Sequence, residues 1–304
     1  VTPLLTLFAL AGFAANSILC RLALGAGAID PASFTTVRLF SGAVALLLLA
    51  AAIPRRRAGD GHAGSWTSAL LLFLYALPFS FAYVSLGVAT GALILFLSVQ
   101  ATMLAGALLE RERIHWLEAL GIVAALAGFV YLVAPGLSAP SPRGAALMMA
   151  AGAAWGIYTL RGRRSTDPIG DTAANFLRSA PFAIAASLAV AGWAHVAGAP
   201  AGARITPRGI ALATASGVLA SGAGYAAWFA ALRGLKALQA AALQLTVPLI
   251  AAAGGILFLA ERISSRLIVS AALILGGVAL ALGGRAAKTR VLSRSSQAGS
   301  SLID

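Results

Sequence analysis

Residues 89–109 read ATGALILFLSVQATMLAGALL, a run without charge. A spanning helix needs about 20 predominantly apolar residues to cross a hydrocarbon core. The run is continuous rather than alternating, so it reads as a spanning helix and not as a strand of an outer-membrane barrel. Similar runs recur outward from it in both directions. Together they give spans at 3–24, 31–53, 66–87, 89–109, 115–134, 142–161, 169–192, 207–232, 236–260 and 264–284. With 60% hydrophobic residues, the chain is too apolar for a soluble domain. The expected fold class is all-α integral membrane with ten transmembrane helices.

The net charge of +13 reads as topology rather than nucleic-acid binding. If the N-terminus is cytoplasmic, the cytoplasmic side receives Arg55, Arg56, Arg57, Arg111, Arg113, Arg161, Arg163, Arg164, Arg233, Lys236 and the basic residues after Gly284. The opposite side receives Arg21, Arg143, Arg204, Arg208, Arg262 and Arg266. That bias places both termini inside. Val1 leads almost directly into the first span without a basic leader or a small-residue cleavage site, so no separate signal peptide is expected. Cys20 is the single cysteine, and His62, His115 and His195 lie in or beside loops with no metal-ligand spacing. Neither metal nor cofactor is expected. Gly152 and Gly156, and the looser face of Gly121, Ala125 and Gly128, read as ordinary small-residue helix packing.

The run at 89–109 also belongs to a repeat. Shifted by 149 residues, Ala82–Ile114 lies on Ala231–Ile263 without a gap, and Glu112-Arg113-Ile114 falls on Glu261-Arg262-Ile263. Earlier in each half the shift is 140, pairing Gly12 with Gly152, Arg21 with Arg161 and Arg38 with Arg178. The organisation read from this is a first five-helix repeat at 1–138, a second at 139–284 and a flexible cytoplasmic tail at 285–304. Five spans are an odd number, so the second repeat enters from the opposite side. Inverted repeats of this kind suit a transporter that rocks between two mirror-related states around a midplane site.

All nine acids fall at span ends, in loops or in the tail: Asp30, Asp60, Glu110, Glu112, Glu118, Asp167, Asp171, Glu261 and Asp304. The spans offer no buried carboxylate for proton coupling, no paired acids for Mg²⁺ and no nucleophile pair, so no enzymatic activity is expected. The inward-facing candidates are neutral. Asn16, Ser98, Gln100 and Gln244 are expected to meet the ammonium and carboxylate of a cargo. Phe79, Tyr83, Trp155 and Tyr158 are expected to meet its side chain, and Trp228 completes the set. Tyr75, Phe79 and Tyr83 share one helical face at i, i+4 and i+8. Tyr83 and Trp228 lie towards span ends, where interfacial anchoring competes with a substrate role. Arg38 and Arg178 lie inside spans, about two turns or 11 Å from an end. Either they snorkel to the interface, or they form a positive wall that attracts a carboxylate.

The repeat ends Leu109-Glu110-Arg111-Glu112-Arg113 and Leu259-Ala260-Glu261-Arg262-Ile263 are similar to the L-x-E-R motif of the drug/metabolite transporter superfamily, EamA branch. Pro248 matches that branch's proline in span 9, where the first half has Val99. The resemblance covers the whole span region. The run Ala82-Tyr83-Val84-Ser85-Leu86-Gly87 looks like the branch's aromatic amino acid exporters of bacterial inner membranes. It implies a central cavity lined by Phe79, Tyr83 and Trp155. The small drug antiporters of the superfamily use an acid in span 1, and the corresponding region here has Asn16, which argues against proton-coupled drug export. The expected function is export of aromatic and other neutral amino acids by alternating access. Efflux of cationic or aromatic drugs, or of another small metabolite, is the alternative. Membrane lipid and the small-molecule cargo are the expected partners, with no obligatory protein partner.

Overall fold

The computed structural model describes residues 2–52, 64–109, 116–134, 139–162, 165, 167–197, 205–232 and 243–300. Among these residues the elements are helical, without strands. In chain order they are α1 (Thr2–Gly25), α2 (Pro31–Ala52), α3 (Trp66–Ala82), α4 (Val88–Leu109) and α5 (Trp116–Val133). They continue as α6 (Pro142–Gly162), α7 (Pro168–Val196), α8 (Pro207–Leu232), α9 (Val247–Leu259) and α10 (Ser265–Ser300). The first copy of the Glu-Arg-Ile block, the basic loop residues Arg55 to Arg57, Arg163, Arg164, Arg204, Arg233 and Lys236, and the acids Asp60, Glu110, Glu112 and Asp304 lie outside the described residues.

Local chemistry sets the helix starts. Asp30 accepts from the N–H groups of Ala32 and Ser33, and Pro31 opens α2 with its φ already helical. Ser65, Asp167 and Thr206 cap α3, α7 and α8 by accepting from the N–H three residues on. Gly27, at φ 61°, turns the chain between α1 and α2 where a Cβ would be strained.

Three expected boundaries differ. The span read to residue 87 ends as helix at Ala82, because the next backbone groups turn back: Ser85 and Leu86 donate to the Ala82 carbonyl. The span read as 236–260 is interrupted at Leu245–Thr246, and α9 begins at Val247. Pro248 supplies no N–H and its ring opposes the preceding turn, so the helix restarts there. Residues 285–300, read as a tail without a span, continue α10 as helix. Ala, Lys, Arg and Leu in that stretch are good helix formers.

By length and composition α1, α2, α7 and α8 are long and apolar enough to cross a membrane, while α3, α4, α5, α9 and α10 contain shorter apolar stretches. Large apolar side chains point outward, such as Leu48 at 67%, Leu257 at 77% and Val196 at 82% exposure. Such a surface suits lipid rather than water.

The helices pair in a regular way. α2 lies along α7 and α5 along α10, while α3 and α4 flank α6 and α8 and α9 flank α1. Glycines set the closest approaches. A Cβ on Gly152 would lie 2.6 Å from the Leu95 carbonyl oxygen, and one on Gly156 2.8 Å from the Thr102 Cβ, so this pair packs α6 against α4 as expected. A Cβ on Gly217 would fall on Ser41 and on the Arg38 carbonyl, which brings α8 hard against the middle of α2.

Candidate functional site

Arg38, on α2, is 1% exposed. Its Nε donates to the Ser221 hydroxyl at 2.9 Å. Nη2 donates to the phenols of Tyr75 at 3.1 Å and Tyr225 at 3.0 Å. The guanidinium carbon lies 5.1 Å from the Tyr75 ring centroid and 5.2 Å from that of Phe79. Nη1 has no hydrogen-bond partner among the described residues. Enclosure by α3 and α8 excludes the snorkelling role for Arg38, since the head group is held inside the bundle. A buried cation is costly, and here neutral oxygens and aromatic faces offset part of that cost.

The hydrogen bonds continue across α1. Asn16 donates from Nδ2 to the Tyr75 phenol at 3.1 Å, and its Oδ1 accepts from the Ser216 hydroxyl at 2.6 Å. Ser216 and Ser221 are five residues apart, which on an α-helix would separate them by about 140°. Residues Ser216–Ala223 are instead wound as a π-helix, where five residues come close to one turn. Both hydroxyls are thereby turned towards α1 and α2, and Tyr225 follows one turn later.

Around this polar line the rings close up. Trp155 lies 4.6 Å from Tyr225, 4.9 Å from Tyr75, 5.6 Å from Tyr158 and 5.9 Å from Phe13, centroid to centroid. Phe13 also meets Tyr225 at 5.8 Å and Trp228 at 5.5 Å. The face read from the sequence holds, with Tyr75 to Phe79 at 5.3 Å and Phe79 to Tyr83 at 4.8 Å. Each such pair is worth about 0.5–1.5 kcal/mol beyond its burial.

The structure therefore joins Asn16, Arg38, Phe79, Tyr83, Trp155, Tyr158 and Trp228 in one cluster. Tyr83 is fully buried and Trp228 is 1% exposed, so neither presents an interfacial ring. Ser98 is used differently: its hydroxyl donates to Ile94 of its own helix at 2.9 Å, and it faces Gly152 in the α4–α6 contact. Gln100 is buried on α4 and engaged in an interaction. Gln244 is buried just before the α9 break, with neither amide atom bonded among the described residues. Arg178 is half-buried on α7. Its guanidinium lies beside Gly64, where Asp171 and Asn175 accept from the backbone of the α3 start. Arg38 and Arg178, paired in the sequence by a shift of 140, thus have different surroundings.

Phe13, Ser216 and Ser221 complete the cluster from outside the expected set, whereas Tyr75 and Tyr225 are expected as inward aromatic residues of their spans without a substrate role. The serines left no signal, because Ser in an apolar helix ordinarily bonds back to its own carbonyls. Only the π-winding of α8 turns them to one side.

The model of the EamA-like transporter family matches residues 2–134 and 142–283 of this chain. An uncharacterized protein of Pseudomonas aeruginosa is 48% identical over 290 residues, covering 94% of this chain and 97% of its own. A solved crystal structure with 22% identity superposes at a TM-score of 0.59, covering 90% of this chain and 95% of its own. At that identity the likeness extends to the fold.

Proposed function

The chain belongs to the EamA-like transporter family, and from this premise we propose that it exports amino acids, aromatic and other neutral ones, by alternating access. The observation that carries the reading is the buried cluster of Trp155, Tyr75, Tyr225 and Phe13 around Arg38, drawn from α1, α2, α3, α6 and α8. Helices of both halves contribute to it, as a site between two rocking repeats requires. The pairing of helices supports an inverted repeat. α2 with α7 and α5 with α10 join equivalent elements, and α3 with α6 mirrors α8 with α1. Ser65 and Thr206 cap the equivalent helices α3 and α8 in the same way. The outward apolar surface and the Pseudomonas relative support ten spans in a bacterial inner membrane, with both termini cytoplasmic by the charge bias.

Aromatic faces bind an aromatic or thioether side chain with preference but without strict selectivity, so a broad substrate range follows. A pump for cationic drugs fits less well, because the fixed charge of the cluster is itself a cation. The test is uptake of labelled phenylalanine, tryptophan and methionine into liposomes holding the purified protein, with and without a pH gradient. Saturable flux unchanged by the gradient is expected. Absence of amino acid flux, or flux only with a gradient, would overturn the reading.

A further inference from the structure

We infer that the site recognises its cargo by a carboxylate on Arg38, and that aromatic monocarboxylates lacking an amino group are carried as well as amino acids. The inference rests on the ring cluster being the transport site. Its first support is the unspent hydrogen-bonding capacity of the cluster. A guanidinium carries five N–H donors. Nε and Nη2 of Arg38 are committed to Ser221, Tyr75 and Tyr225, whereas Nη1 carries two donors and is buried without a partner among the described residues. The indole Nε1 of Trp228, in the same ring cluster, is also a buried donor without a partner. These two unmet nitrogens are donors, and a carboxylate is a pure acceptor.

The second support is charge. Every acid among the described residues is placed elsewhere. Asp30 and Asp167 cap α2 and α7, and Asp171 accepts from Gly64. Glu261 lies with Arg21, and Glu118 is on α5 against α10. An amino acid's ammonium would find no counter-charge in the cluster among the described residues. The Asn16 oxygen is already taken by Ser216, and the faces of Tyr75 and Phe79 already lie against the guanidinium. An ammonium is thus tolerated at a distance from Arg38 but not required, while a lone amine would meet like charge.

The experiment measures inhibition of labelled phenylalanine uptake, and direct uptake of labelled 3-phenylpropionate, in liposomes holding the full chain at neutral pH. Intrinsic tryptophan fluorescence gives binding in detergent for phenylalanine, 3-phenylpropionate and phenethylamine. The expected result is that 3-phenylpropionate binds and is carried comparably to phenylalanine while phenethylamine does neither. Arg38→Lys should weaken 3-phenylpropionate binding roughly tenfold, and Arg38→Met up to roughly a hundredfold. Ser221→Ala keeps the charge and should weaken binding less than either. Should the Arg38 variants fail to fold, the ligand series on the wild-type protein still decides. Uptake of 3-phenylpropionate without uptake of any amino acid would sink the amino acid reading and leave recognition of a carboxylate by Arg38 standing. Phenethylamine binding as well as phenylalanine, or 3-phenylpropionate failing to bind, would overturn it.

Discussion

The carboxylate of Glu261 sits on the backbone N–H of Val88, with both oxygens in reach at 3.0 and 2.9 Å. Val88 opens α4, so the acid caps that helix from the far end of the chain and meets the positive end of its dipole. Arg21, at the end of α1, lies 3.7 Å from the same carboxylate and donates to the carbonyls of Tyr83 and Val84 at 2.9 Å. Ala260, at φ 52°, makes the corner that directs Glu261 back onto α4. The glutamate of the L-x-E-R motif thus ties α1, the α3–α4 turn and the α9–α10 corner into one knot.

Glu261→Gln keeps an acceptor for the Val88 N–H but loses the charge, and should cost about 0.3–1 kcal/mol. Glu261→Ala leaves that N–H without its acceptor and should cost about 1–3 kcal/mol. Apparent melting temperatures in detergent should fall in the order wild type, Gln, Ala. Equal values for the two variants would mean that the capping bond contributes nothing.

Trp155→Ala removes ring contacts to four neighbours. Binding of an aromatic cargo should weaken by at least about 1.4 kcal/mol, or tenfold. Truncating a buried tryptophan also costs stability, about 3–5 kcal/mol, so Trp155→Phe serves as the folded comparison with a smaller loss. Transport rates for both, set against size-exclusion profiles, decide the matter. Wild-type flux in Trp155→Ala would remove this residue from the site.

Tyr75→Phe and Tyr225→Phe each take one phenol from Nη2 of Arg38. Each should cost about 1–3 kcal/mol. The double variant should deviate from the sum of the singles by at least about 0.5 kcal/mol, because both act on one nitrogen. Strict additivity in denaturation midpoints would argue that the two phenols are not coupled through Arg38.

Neighbouring glycines on α10 offer a direct contrast. A Cβ on Gly277 would lie 2.6 Å from the Ala125 nitrogen and the Gly121 oxygen, whereas one on Gly276 meets nothing within 4 Å. Gly277→Val should destabilise the α5–α10 contact by about 1–3 kcal/mol. Gly276→Ala should be neutral or stabilising by up to about 1 kcal/mol, as alanine is the better helix former. A melting curve for each variant tests the pair.

The sequence by itself determined the class and the order of elements, because those depend on local quantities. Backbone groups in lipid are satisfied only in a helix or a closed barrel, and a continuous run without alternation such as 89–109 fits the helix. Caps such as Asp30 and Ser65 act within three residues and were equally local. The i, i+4, i+8 row of Tyr75, Phe79 and Tyr83 was legible for the same reason. Tertiary structure decided what each inward group touches. Arg38 and Arg178 are paired in the sequence by a shift of 140, yet one is enclosed by phenols and the other lies beside the start of α3. That difference depends on the rotation of α8, on its π-turn at Ser216–Ala223 and on the clearance left by Gly217. Distant partners and the winding of a neighbouring helix leave no local pattern, and so the polar half of the site emerged only once the helices were packed.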